Sequence, residues 1–133
     1  MDAITGVHHL SLTVRELPAS VDWYIDLFDL QKMMDEAHDG GRAVVLCDPD
    51  MRLFVGLHAH DANDGTRFDE TRTGLDHISF GVPDRDALVA WQARLAERDV
   101  TCSPISDQPW GSVLVFRDPD DIQLELCAPP TTT

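Results

Sequence analysis

Three side chains whose types could do chemistry together are His9, His77 and Glu125. Imidazole and carboxylate donors form a common ligand set for first-row divalent metals. Three protein ligands leave coordination positions open for water or a bidentate substrate. Taken singly, each has a plainer reading. A histidine on a strand is more often structural than ligating, and a buried glutamate more often pairs with an arginine. What raises the metal reading is that the two histidines stand at equivalent places of an internal repeat.

Residues 6–23 read GVHHLSLTVRELPASVDW and residues 74–91 read GLDHISFGVPDRDALVAW, an offset of 68 positions (77 − 9 for the histidines). A second match follows at an offset of 70 (111 − 41): GRAVVLCDPD at 41–50 and GSVLVFRDPD at 111–120. Both copies end in Asp-Pro-Asp, which suits a turn because proline presets φ and aspartate bonds back to nearby amides. Two matched stretches at nearly one offset indicate duplication. Repeat one is expected at about 4–59, a polar, acidic linker at about 60–73, and repeat two at about 74–129, together forming one domain over 1–133.

Each repeat carries the grammar of a βαβββ unit. Residues 9–14 and 77–82 alternate polar and apolar side chains, as half-buried strands do. Pro18 suits the opening of a helix, with Val21, Ile25 and Phe28 at helical spacing. Asp84 is a candidate N-cap for the second helix, whose buried face is expected at Leu88, Trp91 and Leu95. Three shorter strands follow in each copy, the first near 31–34 and near 100–103. The expected class is α+β, two βαβββ repeats forming a curved mixed sheet around a metal-binding cleft.

Strand parity then sorts the side chains. Leu10, Leu12 and Val14, like Ile78, Phe80 and Val82, share the helix-facing side. His9, Ser11, His77 and Ser79 take the open side, while His8 falls with the leucines, away from the site. In the last strand Leu124 and Leu126 are helix-facing, so Gln123, Glu125 and Cys127 face the cleft. A carboxylate there is costly without a positive partner, and its own strand carries no Lys or Arg. Trp110 precedes a strand, where it either lines the cleft or covers core.

Composition bounds the rest. At 133 residues and 43% apolar the chain holds one hydrophobic core. The net charge of −14 disfavours nucleic acid and suits either solubility or a cationic ligand. No apolar run approaches a membrane span, and a soluble cytoplasmic protein is expected. Cys47, Cys102 and Cys127 are an odd, widely spaced set, read as small buried or half-buried thiols.

The H-x-S-x-x-V strand, the helix after it and the D-P-D-x-x-x-L-E-L run near the C-terminus resemble the vicinal oxygen chelate superfamily. This group includes glyoxalase I, extradiol dioxygenases, fosfomycin thiol transferases and bleomycin-binding proteins. The resemblance implies a divalent ion (iron, manganese, nickel or zinc), a small-molecule substrate that chelates it through oxygens, and a homodimer. His9, His77 and Glu125 match three of the family's ligand positions. The fourth falls at Val55 in an ungapped alignment, or at Gly56 if Leu53, Val55 and Leu57 face the helix. Neither side chain coordinates a metal. Under the second register His58 also faces the cleft, as a candidate acid/base or replacement ligand. Ser11, Gly56, Ser79, Trp110 and Gln123 are the candidate substrate-lining residues. No inward basic residue suited to a phosphonate stands out. The alternative reading is a metal-free module that binds a cationic drug.

Overall fold

The computed structural model describes residues 2–131. The chain divides into two compact units, Met1–Thr66 and Arg67–Thr133, each holding one repeat. The first contains β1 (Leu10–Thr13), α1 (Leu17–Phe28), β2 (Gln31–His38), β3 (Gly41–Cys47) and β4 (Phe54–His60). The second contains β5 (Ile78–Gly81), α2 (Arg85–Glu97), β6 (Ser106–Gln108), β7 (Gly111–Arg117) and β8 (Gln123–Ala128). The class is α+β, and the βαβββ order is the one the repeat implies. Each unit forms its own four-stranded mixed sheet, in the order β1-β4-β3-β2 and β5-β8-β7-β6. The first strand runs parallel to the last and the remaining pairs are antiparallel.

One face of each sheet is closed by its helix: α1 packs on β4, and α2 packs on β7 and β8. The alternation read from the sequence decides which residues go there. Leu12, Val14, Leu46, Val55 and Leu57 are buried in the first unit, and Leu114, Phe116, Leu124 and Leu126 in the second. Burying such side chains stabilises each unit by about 1.5–3 kcal/mol apiece. In α1 the buried stripe is Leu17, Val21, Tyr24 and Leu27, whereas Ile25 and Phe28, expected at its centre, are only half-buried. Asp84 caps α2 by accepting from the Ala87 amide at 2.9 Å, and Leu88 and Leu95 are fully buried below it.

The two Asp-Pro-Asp turns use one device. Asp48 Oδ1 accepts from the amides of Arg52 and Leu53 at 2.6 and 2.7 Å. Asp118 Oδ1 accepts from those of Asp120 and Ile122 at 2.8 and 2.9 Å. Met51 and Asp121, at matching places in the two turns, both take left-handed backbone, with φ of 55° and 65°.

One expectation on an element is corrected. The strand expected near 100–103 is reduced to a single bridge between Cys102 and Phe116, and pairing resumes only at Ser106. Pro104 interrupts it, having no N–H to offer a neighbour. Ahead of β5 the chain is tied to the last turn: the Phe68 amide donates to the Asp120 carbonyl at 3.0 Å, and Arg67 pairs with Asp121 at 2.9 Å. All three cysteines are free, Cys47 buried and the others partly so. No helix among the described residues is long and apolar enough to cross a membrane.

Candidate functional site

The open face of the first unit is set by strand register. Ser11 pairs with Gly56 and Thr13 with His58, while Val45 and Ala43 lie opposite Gly56 and His58 on the other side. Val55 is buried, so Gly56 is the inward residue and the shifted register is the one observed. A Cβ on Gly56 would stand 2.5 Å from Ser11 Oγ and 3.5 Å from His58 Nε2. Around this point lies a cavity of about 370 Å³ bounded by His8, His9, Ser11, Met34, Ala43, Val45, Phe54, Gly56 and His58. Its walls are largely apolar, and no Lys or Arg is among them.

His58 is the most enclosed histidine there. Burial, followed by the nearby His60, His38 and His9, lowers its pKa below the usual imidazole value. It is therefore neutral at pH 7, able to accept a proton or donate a lone pair. The rings of His38, His58 and His60 lie 5.9–6.1 Å apart, centre to centre. His38 and His60 both pair with Gly41, where a side chain would collide with the Ala59 carbonyl and crowd the His38 ring.

His8 corrects a sequence expectation. Its Nδ1 is 2.9 Å from His9 Nδ1, and its ring stacks on Phe54. The parity argument placed it on the helix side, but β1 begins only at Leu10, so strand alternation does not govern residues 8 and 9.

In the second unit, Ser79 pairs with Glu125 as Ser11 pairs with Gly56. Ser79 Oγ donates to Glu125 Oε1 at 2.8 Å. Glu125 lies on the open face between two buried leucines, and no salt bridge joins it to a Lys or Arg among the described residues. Just before β5, His77 Nδ1 donates to Asp76 Oδ1 at 2.7 Å. Asp76 also receives the Gln123 side-chain amide at 3.2 Å. The open face does carry one basic residue that the sequence reading missed. Arg117 pairs in register with Gln123 and shares its face, but Glu70 takes both of its Nη groups, at 2.7 and 3.0 Å. That guanidinium holds the Glu70 carboxyl down to about 2.

Asp76 and Arg117 were hidden because their repeat counterparts, His8 and Cys47, differ in chemistry. Glu70 lies in a segment with no pattern to read. Trp110 is 59% exposed in the turn between β6 and β7, so it covers no core of its unit. Among the described residues no three His, Cys, Asp or Glu side chains are gathered closely enough to hold a metal ion as they stand. Of the candidate ligands, His9 belongs to the first unit and His77 and Glu125 to the second.

The fit of a divalent ion is therefore judged on donor chemistry. His77 has Nδ1 engaged and Nε2 left for a ligand, and Glu125 has one oxygen engaged and Oε2 left. Imidazole and carboxylate donors held this way suit a first-row metal.

Comparison with known proteins bears on the same point. Residues 6–126 match the family model of the Glyoxalase/Bleomycin resistance protein/Dioxygenase superfamily. A crystal structure of a glyoxylase/bleomycin resistance protein/dioxygenase domain from Frankia sp. EAN1pec is 36% identical. It covers 96% of this chain and 99% of its own, with a TM-score of 0.88. MhqA of Bacillus subtilis (strain 168), whose name places it among ring-cleaving dioxygenases, is 26% identical over 137 residues, covering 94% of this chain. The present chain spans about 40% of that relative's length. A point mutant of the fosfomycin resistance protein FosX of Listeria monocytogenes, solved with Mn(II) and 1S,2S-dihydroxypropylphosphonic acid, shares the fold. Its identity is 17%, its TM-score 0.68, and the match covers 94% of this chain and 90% of FosX.

Proposed function

The chain belongs to the glyoxalase/bleomycin resistance protein/dioxygenase superfamily, and on that footing we propose that it is a divalent-metal-dependent enzyme. Its substrate is a small, mainly apolar molecule that chelates the ion through oxygens. His9, His77 and Glu125 are the ligands, drawn either from one chain or from two chains of a homodimer. The observation that carries this reading is Glu125: a carboxylate on an open face, braced by Ser79, with no Lys or Arg ion-paired to it among the described residues. Mn(II) in FosX supports a divalent ion within this fold.

The bound ion supplies Lewis acidity, or oxygen activation if it is iron. The chain's own residues do the rest. Ser79 fixes the Glu125 carboxylate by donating to Oε1. The apolar cavity beside His9 favours a hydrocarbon or aromatic body and excludes water from it. His58, neutral and facing the space beside Gly56, takes a proton from the bound substrate. The lack of a cationic wall, and the engagement of Arg117 by Glu70, favour an apolar substrate over a phosphonate.

A panel of apolar vicinal diols, catechols and hydroxyketones tests the reading. Turnover of at least one class is expected, lost on chelation and restored by a single divalent ion. Tight binding of aromatic compounds unaffected by chelator, with no turnover across the panel, would instead establish a metal-free binding module. The apolar cavity and the charge of −14 give that second reading its support.

A further inference from the structure

The two halves differ most in what stands next to each candidate histidine ligand. Before β5, the acceptor-only carboxylate of Asp76 lies 2.7 Å from His77 Nδ1, which requires the proton on Nδ1 and leaves the Nε2 lone pair free. Asp76 is itself held from behind. Gln123 Nε2 donates to Asp76 Oδ1 at 3.2 Å and to the Asp76 carbonyl at 3.3 Å. Gln123 Oε1 in turn accepts from Arg117 Nη2 at 3.2 Å, and Arg117 is clamped by Glu70. The chain of contacts thus runs Glu70, Arg117, Gln123, Asp76, His77, ordering an exposed imidazole through groups that each orient the next.

In the first unit the equivalent places carry no such chain. His8 stands where Asp76 does and Phe54 where Gln123 does, and these two stack on each other at 5.9 Å. Among the described residues His9 has the His8 ring nitrogen as its one hydrogen-bond partner, and no carboxylate selects its tautomer.

We propose that Asp76 is a positioning residue that fixes the tautomer and direction of His77, with Gln123 as its support, making His77 the preorganised histidine of the pair and His9 the adaptable one. The proposal rests on the ligand reading above, and one clause of it, the tautomer, does not need a metal. Loss of a carboxylate partner on a ligating histidine's far nitrogen commonly weakens metal binding about 10–100-fold.

The test uses the full chain with Mn(II) or Zn(II) alone as probe, and ¹⁵N-detected imidazole spectra of the metal-free protein. Asp76→Ala should weaken metal binding about 10–100-fold and let His77 exchange between tautomers. Asp76→Asn, which keeps an acceptor, should restore the Nδ1–H tautomer and part of the affinity. Gln123→Ala should lose several-fold. A His77 tautomer unchanged in folded Asp76→Ala overturns the proposal, as does wild-type metal affinity in that variant while His77→Ala loses it. Should His77→Ala keep full affinity, the ligand reading fails instead, and the metal part of the proposal with it.

Discussion

At residue 56 the first repeat has a glycine where the second has Glu125, each opposite a serine of the neighbouring parallel strand. In the second repeat that serine donates to the carboxylate. In the first, Ser11 Oγ leans into the room a side chain would need. Gly56→Glu should therefore be accommodated by rotation of Ser11, which would then donate to the new carboxylate as Ser79 does to Glu125. The expected outcome is metal affinity raised at least about tenfold, with turnover lowered because an open coordination position is filled. Calorimetric titration with Mn(II) alongside an activity assay reads both. Unchanged affinity in a folded variant would remove Gly56 from the ligand geometry. Residue by residue, the sequence exposed what the repeat duplicates and hid what it does not. The equivalence of His9 and His77 follows from alignment of the repeats, and the inward turn of Gly56 from alternation along its strand. Asp76 and Arg117 stand against unlike residues in the other copy, so no pattern announced them.

Among the elements, α1 carries a buried defect. Ser20 is 1% exposed, and its hydroxyl has no hydrogen-bond partner among the described residues. An unsatisfied buried hydroxyl costs about 1–3 kcal/mol, so Ser20→Ala should raise the melting temperature by a few degrees. A lower value would mean that the hydroxyl is bonded. The segment leading into β5 behaves differently, because Glu70 ties it to β7 through Arg117. The folded pKa of Glu70, about 2, lies below its usual 4.5. Stability from this pair is thus fully present above about pH 4.5 and is lost as pH falls toward 2. Wild type should melt above Glu70→Gln at pH 7, and the gap should close between pH 4.5 and 2. A gap independent of pH would show that the ion pair does not operate. Element order and type were readable because helix and strand periods differ. The short β6 was not, because its pairing is decided by Pro104 and by the position of β7 rather than by any local pattern.

For the whole molecule, duplication accounts for two like units, each with one sheet face closed by a helix and one left open. The acidic charge and the apolar cavity act on what such open faces attract, and family membership bounds the chemistry without naming the substrate. The proposed site holds one divalent ion through His9, His77 and Glu125. Elemental analysis of protein purified without added metal tests it most directly, run beside His77→Ala and Glu125→Ala. One divalent ion per set of these three residues is expected in the wild type and near-total loss in each variant, with all three proteins folded. Wild-type protein that neither carries nor takes up a divalent ion, or variants that keep their metal in full, would contradict it.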